Sequence, residues 1–186
     1  HVKLPYNFSR GGHDGQSYQA TQWYPKPAVY DSKGWHPMPY LDQGEFYSEF
    51  GSFDVSITVP QHYVVAATGE LQNAEEKEWL KTRSSYTWEP IKIKEKTTGG
   101  QIKTRYQLFP ESAIQSKTLQ YKQSNVHDFA WFADKRFIVN YDTCRLTSGK
   151  VIDVYSYYTP AHKTTWDKSV NYSKDAVHHY SGLVGE

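Results

Sequence analysis

Apolar and polar residues alternate with a period of two along most of this chain and switch to a helical period near its end. The clearest case is Ser52–Val59. Phe53, Val55, Ile57 and Val59 fall on one face, Asp54, Ser56 and Thr58 on the other, and Pro60 closes the run. This alternation predicts a half-buried strand, and a proline just past its last residue removes no ladder donor. Tyr63–Ala67 is the next predicted strand, with the Pro60-Gln61-His62 loop making an antiparallel hairpin of the two. From Ser85 onward the same period predicts strands at Tyr86–Trp88, Ile91–Lys96, Gln101–Phe109 and Ser116–Gln120. Thr97-Thr98-Gly99-Gly100 is a hairpin turn by its glycines, and residues 111–115 read as a brief helical turn. Phe137–Leu146 and Val151–Tyr158 complete the strands. Upstream, Ser17–Trp23 is short and extended, Asp31-Ser32-Lys33-Gly34 is a turn by composition, and the glycines of Ser9–Gly15 predict a loop.

Two segments carry helical signals. Over Asn73–Arg83, Asn73 stands in a capping position with Glu76 three residues later. Glu75 and Glu76 in the first turn and Lys81 and Arg83 in the last suit the helix dipole. Over 165–184, Trp166, Val170, Val177 and Tyr180 recur at near-helical spacing, with Ala176 and Leu183 beside them. The expected fold class is therefore mainly β, with large twisted antiparallel sheets or a sandwich followed by one amphipathic helix.

Composition narrows the function classes. Twenty-one basic and 20 acidic residues leave a net charge of +1, and the basic residues are scattered, which argues against a nucleic-acid surface. No apolar run approaches the ~20 residues that span a bilayer. The single cysteine, Cys144, excludes an internal disulfide and a cysteine-based metal site and reads as a small buried apolar residue. With 16 Tyr, 6 Trp and 8 Phe, the chain is rich in side chains that favour strands and also line peptide and sugar grooves. The sequence starts His-Val-Lys and ends Leu-Val-Gly-Glu within the helical pattern, which reads as a piece of a longer protein. Compartment is not legible, although an exported or periplasmic bacterial protein suits the Cys-poor, Tyr/Trp-rich composition.

The order of segments between Ser17 and Leu71 resembles the N-terminal domain of the aminopeptidase N family, the gluzincin zinc metallopeptidases. The residues that carry the likeness are Thr21-Gln22, Ala28, the Pro37/Pro39 crossing, Phe53–Pro60 in the pattern Phe-x-Val-x-Ile-x-x-Pro, and Ala67-Thr68-Gly69. Asp128, Phe129, Ala130 and Trp131 are similar to the aromatic segment near the end of that domain. Val29 stands where the family has Arg, and the crossing lacks the Phe-Pro-Cys-x-Asp motif, so the chain resembles a divergent branch. The resemblance implies a saddle-like N-terminal β domain over 1–139. It also implies the first strands and helix of a thermolysin-like α/β catalytic domain over 140–186.

The chemistry of such a family needs His-Glu-x-x-His on a helix with a later Glu. None of the eight His here is followed by Glu, and the adjacent His178 and His179 point about 100° apart on a helix. No metal ligand and no catalytic residue is expected in this chain, which should have no peptidase activity alone; zinc is expected in the full-length parent. By the resemblance, Gln22 reaches into the substrate cleft and accepts from the substrate's N-terminal ammonium, and Tyr24 lines the same cleft. The implied partners are the parent's own catalytic domain and a peptide N-terminus. Asp42, Glu45 and Glu49 form an acidic cluster around the crossing. The residues alone leave a second reading open, an aromatic-rich β-sandwich that binds carbohydrate or peptide without catalysis.

Overall fold

A computed structural model of the chain describes residues 3–7, 10–39, 41 and 43–186. The fold is mainly β, built from antiparallel sheets with short helices between them. The strands are β1 (Gly12–Asp14), β2 (Ser17–Ala20), β3 (Val29–Asp31), β4 (Gly34–His36), β5 (Gly51–Pro60), β6 (Val64–Ala67) and β7 (Glu70–Leu71), then β8 (Ile91–Lys96), β9 (Ile102–Gln107), β10 (Ser116–Val126), β11 (Trp131–Asp134), β12 (Ile138–Arg145) and β13 (Val151–Tyr158). The helices are α1 (Ala74–Thr82), α2 (Lys163–Trp166) and α3 (Ser169–Val184). By contacts the chain divides into two compact units. Unit 1 gathers His1–Pro60, Val65–Asn73 and Gln115–Ala133; unit 2 gathers Gln61–Val64, Ala74–Ile114 and Asp134–Glu186. The 139/140 position lies inside β12, in unit 2.

In unit 1, β5 forms with the alternation expected of it, but its partner is β10 rather than β6. Pro60 pairs with Ser116 and the register runs without a break to Phe53 opposite Gln123. The predicted hairpin of β5 with β6 is therefore replaced by a long-range ladder, for two physical reasons. The polar face of β5 finds matched partners on β10: Thr58 meets Thr118 at 2.8 Å, and Asp54 accepts from Gln120 at 2.8 Å and pairs with Lys122 at 3.0 Å. Strand β6 offers no polar face, because Val64 and Val65 are both fully buried, and it joins the sheet ordered β1–β2–β11–β6. The glycine-rich Ser9–Gly15 stretch, expected as loop, contributes β1, with Gly12 opposite Gln19; Ser9 lies outside the described residues. The turn at Asp31–Gly34 forms as expected, between β3 and β4. Asn73, before α1, turns its amide to β10, accepting from Gln120 N at 2.8 Å and donating to Thr118 O.

In unit 2, β8–β9 is the hairpin expected from the Thr97–Gly100 turn, and the two further expected strands, β12 and β13, pair antiparallel. Alternate residues of the second pair, Cys144 and Val154, face α3 and form a core with Leu146 and Val170, against which Ile152 and Val177 pack. Of the stripe predicted on the last helix, Val170 is buried and Val177 half-buried, whereas Trp166 and Tyr180 are exposed. The single predicted helix is broken at Asp167-Lys168. Ser169 Oγ donates to Trp166 O at 2.5 Å and Asn140 Nδ2 donates to Asp167 O at 3.0 Å, so carbonyls that a continuous helix would use are taken by side chains.

Two further predicted elements do not form. Tyr86–Trp88 is not a strand, because Tyr86 lies flat over the Arg83 guanidinium, 3.3 Å from ring centroid to carbon, directly after a 3-10 turn at Arg83–Ser85. Residues 111–115 are not helical. The buried Lys135 ammonium donates to Pro110 O and to Ser112 Oγ, and His62 Nδ1 sits 3.1 Å from Glu111 O, so side chains rather than helical bonds hold the segment.

Candidate functional site

The site is built from the chain that leaves β2. Ala20 is paired with Trp131 of β11, which fixes where the strand stops. Thr21 Oγ1 then donates to Arg10 O at 2.7 Å, and the next residue, Gln22, adopts φ +51°. A left-handed backbone costs a residue with a Cβ about 1–2 kcal/mol; Asn125 is the only other non-glycine in that region among the described residues. The Gln22 side chain carries a second cost. Its Oε1 is shielded from solvent and has no donor among the described residues, a condition worth about 1–3 kcal/mol for a buried acceptor. Strain and an unmet acceptor therefore coincide on one residue.

The following residues are tightly held. Trp23 Nε1 donates to Phe129 O at 2.9 Å, and Tyr24 OH donates to Asp128 Oδ1 at 3.2 Å. Asp128 also accepts from Phe129 N at 2.7 Å and pairs through Oδ2 with Lys26 Nζ at 3.2 Å. The rings of Trp23, Tyr24, Phe53 and the fully buried Phe129 form a continuous edge-and-tilt series with centroids 5.4–5.7 Å apart. Thr68 closes the far side: its N donates to Ala130 O at 2.9 Å and its Oγ1 accepts from Ala130 N at 3.1 Å. Four segments distant in sequence, at Thr21–Lys26, Phe53, Thr68 and Asp128–Ala130, are therefore brought together, with Gln22 beside rigid neighbours.

Burial and the Asp128 carboxylate push the Tyr24 phenol up to about 12. The fold favours the neutral phenol, so the contribution of Tyr24 is complete below the ordinary tyrosine value near 10 and is lost as pH rises toward about 12. The difference in unfolding temperature between the wild type and Tyr24→Phe is expected to narrow across that interval. A difference that widens with pH would reverse the assignment.

Beside this anchor, Lys26, Pro27, His36, Met38, Phe46 and Tyr47 line an open cleft of about 550 Å³. Lys26 reaches it past the faces of Tyr24 and Phe46. His36 Nε2 is 2.8 Å from Asp31 Oδ1, and this contact with the Lys33 amide holds the Asp31 carboxyl below the usual carboxylate range. Sequence reasoning missed Lys26, Asp128 and the Asp31–His36 pair as members of one site. The two residues on either side of the Asp31–Gly34 turn carried a signal; a Lys26–Asp128 pair across 102 positions carried none. In the acidic cluster of the crossing, Asp42 lies outside the described residues, Glu45 is held in a two-pronged pair with Arg10 at 2.8 Å, and Glu49 is exposed.

Among the described residues no group of three or more His, Cys, Asp or Glu is placed to hold a metal ion. His178 lies on α3 with Nε2 3.2 Å from Cys144 Sγ, while the His179 ring meets Tyr180. No helix among the described residues is long and apolar enough to cross a membrane. Comparison with protein-family models, curated proteins and solved structures gives no match.

Proposed function

We propose that this chain is the N-terminal β region, with the beginning of the catalytic domain, of an aminopeptidase N-like zinc metallopeptidase. In this reading it braces the catalytic domain and presents Gln22 to the N-terminal ammonium of a peptide substrate. The zinc ligands belong to other parts of the parent protein. The observation that carries the reading is the Gln22 acceptor, which is buried, unpaired and held on a strained backbone. An ammonium is the donor that suits it, since it supplies charge-assisted hydrogen bonds without requiring a second charge on the protein. Support also comes from the convergence of the segments that carry the resemblance, with Tyr24, two residues along the chain from Gln22, bonded to Asp128.

The test uses the full-length parent. Amino-acyl anilides are compared with their N-acetylated forms for the wild type and Gln22→Ala, alongside a zinc assay. The variant is expected to raise KM for free-amine substrates about tenfold to hundredfold, the worth of a hydrogen bond to a charged group, with the zinc content unchanged. Equal loss on free and blocked substrates, or a parent without zinc, would remove the reading.

The alternative of a glycan- or peptide-binding module draws on a row of tyrosines on one face of β12–β13. Tyr141, Tyr155 and Tyr157 follow one another at 4.9 and 6.1 Å, but their planes turn by 42° and 25° and all three are half-buried. The exposed pair Tyr30–Trp35 is T-shaped. Neither set offers the open coplanar platform that stacks sugar rings, and this geometry favours the first reading.

A further inference from the structure

The β8–β9 hairpin of unit 2 gathers charge that is scattered along the sequence. Five basic residues and one acid lie between Ile91 and Gln107, whereas the whole chain has a net charge of +1. The register divides them between two faces. On one face Glu95 accepts from Arg105 Nε at 2.5 Å, which cancels part of the charge. On the other stand Lys92, Lys94 and Lys96, opposite Tyr106, Thr104 and Ile102. All three lysines are exposed, none is in an ion pair with a described residue, and no acid of the hairpin shares their face. The same three residues form an open edge. Thr97 N donates to Gln101 O at 2.8 Å, which makes that pair a hydrogen-bonded one. Bonded and non-bonded pairs alternate along an antiparallel ladder. Glu95, Ile93 and Ile91 therefore turn their backbone groups toward β9, and Lys96, Lys94 and Lys92 turn theirs outward. Among the described residues this sheet has two strands, and β8 packs mainly against β9.

Each lysine thus presents an N–H and a C=O at the edge and an ammonium on one face, repeated about every 6.7 Å, twice the rise of a strand residue. An extended peptide meets both sets of groups. It bonds the edge as a third strand, and its own alternate side chains recur at the same spacing on the lysine face. Opposite charges directly across a strand pair stabilise it and like charges destabilise it. A second copy of β8 is disfavoured, since lysine would face lysine, and a strand with acids at alternate positions is favoured. A phosphodiester chain would meet the ammonium groups, but its backbone has no N–H for the outward carbonyls. We propose that the outer edge of β8 binds an extended acidic peptide segment as an added antiparallel strand, with Asp or Glu at every second position opposite Lys92, Lys94 and Lys96.

The experiment titrates the chain with the acetylated, amidated peptide Thr-Glu-Val-Glu-Val-Glu-Thr and follows its backbone amides by NMR. Two probes of equal charge accompany it, an isomer with the three glutamates adjacent and an oligothymidylate. The alternating peptide is expected to bind most tightly. At saturation, solvent exchange is expected to slow at the Lys92, Lys94 and Lys96 amides and to stay as it was at Ile93 and Glu95, which already bond β9. Lys94→Glu is expected to weaken binding about twofold to thirtyfold, as one opposite-charge cross-strand pair becomes a like-charge pair. A peptide with Lys for the central Glu is expected to bind that variant more tightly than it binds the wild type. The proposal is overturned if the isomer or the oligothymidylate binds as tightly as the alternating peptide, or if exchange at the three lysine amides does not change. The exchange pattern is read on the unaltered chain, so it decides the matter even if Lys94→Glu fails to fold.

Discussion

Arg83→Ala is expected to lower folding stability by about 2–6 kcal/mol, the cost of leaving two buried carbonyls unpaired at about 1–3 kcal/mol each. Arg83 is 8% exposed and follows α1 directly. Its Nη2 donates to Lys135 O at 2.9 Å and to Phe137 O at 2.9 Å, and its Nε reaches the second carbonyl at 3.2 Å. The guanidinium carbon lies 3.3 Å from the Tyr86 ring centroid and 5.3 Å from that of Trp79. Truncation therefore strands two carbonyls at the entry to β12 and removes the support under both aromatics. Arg83→Lys restores the charge and part of the stem but not the fork that bonds two carbonyls at once; it is expected to recover less than half of the loss. Urea unfolding followed by far-UV circular dichroism reads both variants. A loss below about 1 kcal/mol for Arg83→Ala would mean that water reaches these carbonyls and that Arg83 does not tie α1 to the β12 entry.

The same region shows what a one-dimensional pattern carries and what it does not. Val151–Tyr158 is a strand with the expected bounds, and β12 differs from its expected run by one residue at each end. Both alternate because one face packs on α3, and that face is written into every second residue. The same alternation at Tyr86–Trp88 misleads, because Tyr86 is spent as a lid on Arg83, and period alone does not distinguish a ring on a cation from a ring on a sheet. At β5 the face was legible but the partner was not. Alternation fixes which side is buried, whereas the choice of β10 over β6 depends on the Thr58–Thr118 and Asp54–Gln120 contacts, 60 and 66 residues apart. At the candidate site the sequence supplied Gln22 and Tyr24 through a resemblance. The strain at Gln22 depends on where β2 stops against β11, and the anchor at Asp128 on a chain reversal more than a hundred residues long.

Gln22→Gly separates stability from binding at that site. Glycine enters the left-handed region without the Cβ penalty, which returns about 1 kcal/mol. It also deletes the buried Oε1 that has no donor, returning about 1–3 kcal/mol, while the added freedom of the unfolded chain costs about 0.5–1 kcal/mol. The variant is therefore expected to be more stable than the wild type by about 1–3.5 kcal/mol, an increase of roughly 2–14 °C in unfolding temperature for a chain of this size. Most substitutions at half-buried positions destabilise, so the sign alone is diagnostic. In the full-length parent the same change is expected to weaken binding of free-amine substrates as strongly as Gln22→Ala, because both remove the acceptor. Gln22→Ala keeps the strain and is expected to gain less stability than Gln22→Gly. A residue that raises stability when removed and lowers affinity for an ammonium when removed is held in place by its ligand. If Gln22→Gly instead loses stability, the Gln22 amide has a donor in solution, and the acceptor assigned to the substrate ammonium is already taken by the fold.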